Sequence, residues 1–345
     1  MVYVGMDVHQ KSTTFCILDA SKEEGDGRYR TVKRETCQEA FDEILGPLRR
    51  RCKVVFEIGT QAQWIAAIVR PLAAEVQVAN PSRIPWLFRE GRKNDALDAR
   101  KLATLLYLNH VPTVHLPTAD VSAWRALINH RRTLVKRSTM IKNQLRSILR
   151  AFHYRCPHRS CWTRIGRVWL RSLTFDSART LMVRTLLEEL GFVQSRIRRV
   201  QQELDSIAAT QANVALLRTI PGIGPRTAEA IVAFADGVDR FSNRKRFASY
   251  FGMTPTEDSS GQVVRRGRIS KRGPSVVRWV LVEASHQVVA RCPALRGFFA
   301  RIHRGKKDRY KKAVVATGRK VLSIAYGMMR TQTAFDPSIV SRSAA

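Results

Sequence analysis

Acidic residues are scarce in this chain. Only 28 Asp and Glu stand against 60 Lys and Arg in 345 residues, a formal net charge of +32. With a pI near 11.1, the chain is a poor fit to cationic ligands and a good fit to phosphates, whose neutralisation releases counterions. Cysteine is sparse as well. Cys16, Cys37, Cys52, Cys156, Cys161 and Cys292 show no framework spacing, which excludes a disulfide-stapled scaffold and fits a reducing, cytoplasmic compartment. Also missing is any uninterrupted apolar run of about 18 residues, so neither a spanning helix nor a membrane partner is expected. The opening MVYVGMDVHQ has no basic stretch ahead of its apolar part, unlike a secretory signal.

Against this basic background four acids stand out: Asp7, Glu57, Asp95 and Asp98. A protein that sits on phosphates has little electrostatic reason to keep carboxylates nearby, unless a divalent cation bridges the two. Asp7 and Glu57 each end an apolar run. Asp95 and Asp98, three residues apart on an expected helix, share one face. Hard oxygen ligands so arranged suit one or two Mg²⁺ ions. The competing reading of Asp98 is an ion pair with Arg100 or Lys101.

Hydrophobic residues make up 44% of the chain, enough for two or three units with separate cores. Strands are expected at Val2–Asp7, Thr13–Leu18, Arg30–Arg34, Lys53–Ile58 and Glu75–Asn80. Helices are expected at Gln38–Arg51, Trp64–Ala74 and Asp95–Leu106. A three-stranded meander followed by alternating helices and strands gives a mixed α/β sheet that suits a ribonuclease-H-like fold. The pattern then turns helical over Val121–Phe152. A second helix carries Leu186, Leu190, Val193, Ile197, Val200, Leu204 and Ile207 in alternating steps of four and three, a heptad seam. That seam fits either an intramolecular hairpin or subunit association. The expected division is 1–115, a helical coiled-coil region over 116–212, and a mainly α domain over 213–345.

Charge is uneven along the chain. Acids and bases balance up to Glu57, whereas Gly261 to Arg330 holds only Glu283 and Asp308 among many cations. Pro221-Gly222-Ile223-Gly224 lies between two apolar helical stretches. A hairpin of that composition lets backbone N–H groups at Gly222 and Gly224 approach a phosphate, in the manner of a helix-hairpin-helix. Further on, Ser259 and Ser260 precede Gly261, and Arg265, Arg266, Arg268, Lys271 and Arg272 follow. A serine attacking phosphate needs an exposed hydroxyl and cations to neutralise the transition state, although a Ser-Ser-Gly turn is ordinarily only a turn. His153, Cys156, His158 and Cys161 have zinc-type side chains, but their spacing is not that of the usual structural sites.

Several of these motifs together resemble one family, the DEDD transposases of bacterial insertion sequences known as the IS110 group with its IS1111 relatives. GMDVHQKS, FEIG and KNDALDARKLA resemble its acidic motifs. IPGIG, ASYFGMTPTEDSSG and GRISKRG resemble its C-terminal domain, in the family's order. The resemblance implies a RuvC-like nuclease domain in which Asp7, Glu57, Asp95 and Asp98 hold Mg²⁺. It also implies a serine nucleophile, matched by position to Ser260, that links covalently to DNA. The implied partners are target and donor DNA and a structured guide (bridge) RNA. The implied assembly is a homodimer, pairing to a tetramer, with composite sites, in the bacterial nucleoid. Two departures occur: Asn94 stands where the family commonly has Thr, and Ile58 where a small residue is common. The alternative is a metal-dependent junction-resolving nuclease without a covalent intermediate.

Overall fold

In VYVGMDV the apolar Val2, Val4, Met6 and Val8 alternate with Tyr3, Gly5 and Asp7, and the segment forms β1 (Val2–Val8). The computed structural model describes residues 1–83, 94–257, 265–338 and 340, with the side chains of Ser82 and Arg266 excepted. It divides into two units, Met1–Ala119 and Asp120–Ala345.

In the first unit β1 pairs antiparallel with β2 (Ser12–Asp19), which pairs antiparallel with β3 (Tyr29–Glu35). Then come α1 (Gln38–Leu45), β4 (Cys52–Glu57), α2 (Ala62–Val69), β5 (Glu75–Ala79) and α3 (Asp95–Tyr107). The strand order is β3-β2-β1-β4-β5, with β4 parallel to both β1 and β5. Two helices stop earlier than the sequence suggests. Pro47 follows α1 and Pro71 follows α2; each lacks the N–H that would continue the helical ladder.

The pleat gives the sheet two different faces. Val4, Met6, Phe15, Val54, Phe56 and Val78 pack with Phe41 and Leu45 of α1 and with Ile65 and Val69 of α2. The opposite face carries α3, whose Leu102, Leu105 and Leu106 cover Val55 and Ala79. Next to them Ala99 and Ala103 cover Cys16 and Leu18. Small residues meet where α3 crosses β1. A Cβ on Gly5 would lie 2.1 Å from the Ala99 carbonyl oxygen and 2.4 Å from the Ala103 nitrogen. Glycine at position 5 therefore sets how close α3 comes to the sheet.

The second unit begins with the long helix α4 (Ala119–Ala151), followed by α5 (Arg164–Ser172) and α6 (Ser177–Ala209). Leu134, Ile141, Leu145 and Leu149 of α4 pack with Val183, Leu187, Leu190 and Val193 of α6. The heptad seam thus meets a helix of the same chain, and its last members, Leu204 and Ile207, join the next core. That core is built by α7 (Ala212–Leu217), α8 (Pro225–Ala235), α9 (Arg244–Tyr250), α10 (Ser275–Arg291), α11 (Pro293–His303) and α12 (Tyr310–Thr331), with a short hairpin of β6 (Pro255–Glu257) and β7 (Arg266–Ile269). The mixed N-terminal sheet and the helical remainder agree with the pattern expected from sequence. Among the described residues no helix is long and apolar enough to cross a membrane.

Candidate metal centre and nucleic-acid interface

The sheet register puts the first group of candidates on one row. Lys33 pairs with Thr14, and Thr14 pairs with Asp7. Because Met6 pairs with Phe56, Glu57 follows on β4 beside Asp7 on β1, on the face that α3 covers. Gly5 lies two residues before Asp7, and Ala99 lies four after Asp95 and one after Asp98. The tight contact of Gly5 with Ala99 and Ala103 therefore brings the first turn of α3 to the end of β1.

Asn94 is the cap of α3. Its side-chain oxygen accepts a hydrogen bond of 3.0 Å from the Ala96 N–H, which is what a Thr at this position would do. Asp95 and Asp98 both fall in the first turn, where the helix dipole stabilises negative charge. Arg100, considered above as a partner for Asp98, instead pairs with Asp26 at 2.6 Å and stacks 4.1 Å over Tyr29.

One possible ligand was missed by sequence reading. Asp7, His9 and Asp95 each offer a ligand atom, and these atoms lie within 4.8 Å of one another. His9 Nε2 is 3.3 Å from Asp7 Oδ2 and 3.7 Å from Asp95 Oδ1. The β1–β2 turn holds His9 there, its N–H donating to the Ser12 carbonyl and its carbonyl accepting from Thr36 Oγ1. Glu57 and Asp98 are not part of this close trio. Glu57 lines a cavity of about 390 Å³ together with His9. Two carboxylates and an imidazole, partly open to solvent, fit a divalent cation by donor type. Lys33 was also missed. Its Nζ donates to Asp95 Oδ2 at 2.9 Å, and this bond is the main reason the Asp95 carboxyl is held below the usual carboxylate range.

The second group lies in the other unit. Ser259, Ser260 and Gly261 fall outside the described residues, in the connection between β6 and β7. The arm that follows is firmly seated. A Cβ on Gly252 would lie 2.1 Å from the Arg272 carbonyl oxygen, and one on Gly273 would lie 2.0 Å from that of Tyr250. Both glycines have left-handed φ, +67° and +71°, so side chains are disfavoured on two counts. Arg278, which sequence reading passed over, donates from Nη1 to the carbonyls of Phe251, Arg272 and Gly273. Arg265, Arg268, Lys271 and Arg272 are exposed, and Arg266 opens β7 opposite Glu257.

Pro221-Gly222-Ile223-Gly224 joins α7 to α8. Gly222 has φ +95°, and a Cβ there would lie 2.5 Å from the Val288 nitrogen of α10; the turn is pressed onto that helix. Gly224 caps α8 ahead of Pro225, and a Cβ on it would meet nothing within 4 Å. One turn into α8 lies Glu229, fully buried. Arg226 Nη2 is 2.8 Å from Glu229 Oε1, yet neither carboxylate oxygen has a hydrogen-bond partner among the described residues.

Burial pushes the Glu229 carboxyl up to about 7, against the opposing pull of Arg226. Because the folded value is raised, the unfolded chain gives up its proton first. Stability from this group is therefore greatest in acid and falls as pH rises from about 4.5 to 7, by roughly 3 kcal/mol. Glu229→Gln is expected to remove that decline. Melting temperatures of both proteins at pH 5.5 and pH 8 check it, and an unchanged pH difference in the variant would count against this account.

His153, Cys156, His158 and Cys161 lie in the connection from α4 to α5 and its approach. There the Cys161 thiol is pushed up to about 11, first by burial and then by its hydrogen bond with Cys156.

Comparison with known proteins gives a consistent pattern. A transposase family model of the DEDD, IS110 type matches residues 4–154, and the model "Transposase IS116/IS110/IS902 family" matches residues 214–300. The first span contains all four acids and His9; the second contains the glycine turn, Ser260 and the basic arm. A "Probable family 20 transposase" of Pseudomonas aeruginosa is 26% identical, with 89% of this chain and 91% of the relative covered. A "Transposase for insertion sequence element IS1328" of Yersinia enterocolitica is 27% identical, over 82% and 85%. A "Pilin gene-inverting protein" of Moraxella bovis is 35% identical over shorter shares, 36% and 39%.

Proposed function

The chain belongs to the IS110-type DEDD transposase family of insertion sequences, and on that premise we propose that it is a DNA transposase with a divalent-metal centre and a serine nucleophile. The trio of Asp7, His9 and Asp95 at the end of β1 carries the metal half of this reading. The strand order β3-β2-β1-β4-β5 supports a ribonuclease-H-like, RuvC-like identity for that unit; the divisions at 115/116 and 212/213 belong to the same proposal. Asp7, Glu57, Asp95 and Asp98 would hold Mg²⁺, one ion or two, with His9 beside them. Bound there, the ion would offset phosphate charge and polarise a scissile phosphodiester.

Lys33 holds Asp95 in its ionised form and keeps a cation at the row's outer end. In the other unit the Ser260 hydroxyl oxygen forms a bond to phosphorus as one bridging P–O bond breaks, releasing a DNA hydroxyl. A hydroxyl of a second DNA end then reverses the step. Bond types are exchanged one for one, so rejoining needs no external energy source. Arg265, Arg266, Arg268, Lys271 and Arg272 are placed in sequence to neutralise the phosphate, and Gly222 and Gly224 to let backbone approach the strand. Exposed Leu181 and Phe192 on α6 support association into a homodimer and, by pairing, a tetramer. A structured guide RNA shares the basic surface with target and donor DNA.

The nucleophile is tested by denaturing electrophoresis of the chain incubated with labelled donor DNA and Mg²⁺. A covalent protein–DNA band is expected from the native sequence and from Ser259→Ala, and none from Ser260→Ala. Cleavage by Ser260→Ala at the native rate would instead favour a junction-resolving nuclease without a covalent intermediate.

A further inference from the structure

A cavity of about 510 Å³ lies between the glycine turn and α10. Its walls combine three chemistries. Arg131, Arg226 and Arg291 supply guanidinium groups, Trp279 an indole, and Glu283 and Gln287 polar ends. Trp279, Glu283, Gln287 and Arg291 are spaced by four along α10, so they form one stripe. Gly222 touches the backbone of that helix at Gln287 and Val288, which sets the turn against the stripe.

Arg226 is already engaged through Nη2 by Asp205 and Glu229, whereas among the described residues no ion pair holds Arg131 or Arg291, the other two guanidiniums of the cavity. Arg131 Nε and Arg226 Nη1 are buried with no hydrogen-bond partner among the described residues. Arg132 fixes the neighbouring wall, donating to Ser275 Oγ at 2.9 Å and lying 5.7 Å from the Trp279 ring centre. Unmet donors in a cationic cavity call for an anion. A phosphate alone does not account for Glu283. It is one of only two acids between Gly261 and Arg330, it is exposed, and no ion pair holds it among the described residues. A carboxylate beside a phosphate is repulsive, whereas a carboxylate beside N–H groups of a base is not.

From this we infer that the cavity takes a single unpaired guanine nucleotide of a nucleic acid, its base against Trp279, its Watson–Crick edge on Glu283 and its phosphate on Arg131 and Arg291. Guanine is singled out because its N1–H and N2–H₂ present two parallel donors to a carboxylate. Cytosine and adenine offer one amino group on that edge, and uracil one imino group. Aromatic stacking with edge reading is the general way that unpaired bases are bound, and the volume is in the range of nucleotide-sized pockets. The inference rests on the reading of this unit as a nucleic-acid-binding one.

The probes are end-labelled pentanucleotides, four uridines or thymidines around a central G, A, C or U/T, in ribose and deoxyribose series. Fluorescence anisotropy with the full chain is expected to show tighter binding of the central-G probe, by about tenfold. The series with the larger preference identifies RNA or DNA as the source. Glu283→Gln is expected to bind all four bases alike, at the level of the native chain's weakest probe. Trp279→Phe, which retains a ring, keeps the guanine preference, and Arg131→Gln weakens every probe similarly. Circular dichroism establishes that each variant is folded. Equal affinity for all four bases in the native chain, or a guanine preference that survives Glu283→Gln, overturns the inference alone. Failure of every probe to bind overturns it together with the nucleic-acid reading of the unit.

Discussion

Asp7→Asn is expected to slow donor-strand cleavage by about 10³-fold or more, on the order of 4 kcal/mol in the barrier. Asp7 is the residue on which the two halves of the acid group converge. It lies beside Glu57 through the β1–β4 pairing, and its Oδ2 is 3.3 Å from His9, which in turn is 3.7 Å from Asp95. The amide keeps the shape and one acceptor oxygen but removes the charge that a hard cation needs. The fold should survive, because asparagine nearly matches aspartate in size and shape and the core beneath position 7 is apolar. Single-turnover cleavage in Mg²⁺ measures the effect. The level of soluble, cooperatively melting protein provides the control. A rate within a few-fold of the native chain's would remove Asp7 from the chemistry.

Gly5→Ala is expected to have the largest effect on the N-terminal fold of any single methyl group. The added carbon would lie 2.1 Å and 2.4 Å from backbone atoms of Ala99 and Ala103, and neither atom can rotate away. Either α3 moves off the sheet or the strand bends. Overpacking of this kind costs up to about 3 kcal/mol, which for a unit of this size lowers the melting temperature by roughly 10 °C. Moving α3 also carries Asp95 and Asp98 away from Asp7, so cleavage should fall even where the protein is folded. Gly46→Ala is the comparison, since Gly46 has an ordinary helical φ of −54° and open space around its Cβ position. Hydrogen exchange of α3 amides in the full chain separates the two. Fast exchange is expected in Gly5→Ala and native protection in Gly46→Ala. Equal protection in both would mean that the contact does not set the position of the helix.

Much of the N-terminal unit was legible because its signals are local. Apolar runs ending in Asp7 and Glu57 mark buried strands, and their acids fall at the strand ends for the same reason. Asp95 and Asp98, three apart on an expected helix, fall in the first turn of α3. His9 and Lys33 were not legible in this way. His9 reaches the carboxylates through the turn that joins β1 to β2, and Lys33 through two successive antiparallel registers. Neither register can be read from the spacing of one strand. Gly5 was equally silent, since a glycine in a strand does not say which helix will lie on it.

In the second unit the long helices were evident from periodicity, but the seam on α6 did not name its partner. The structure puts α4 of the same chain against much of that seam. Glu229 and Arg278 were hidden for a different reason. Each lies in a stretch whose apolar pattern says only helix, and each is given meaning by distant backbone or burial.

If the acids around β1 form a divalent-metal centre, the full chain binds Mn²⁺ through them. Calorimetric titration of the native chain should show saturable binding at one or two sites per chain, as expected for the acid group. In Asp7→Asn that binding should weaken by at least about tenfold, or about 1.4 kcal/mol. Gly46→Ala, a change at the end of α1 outside the acid group, should leave it intact. Native Mn²⁺ affinity in Asp7→Asn, with the variant folded, would mean that the acids around β1 do not hold the ion.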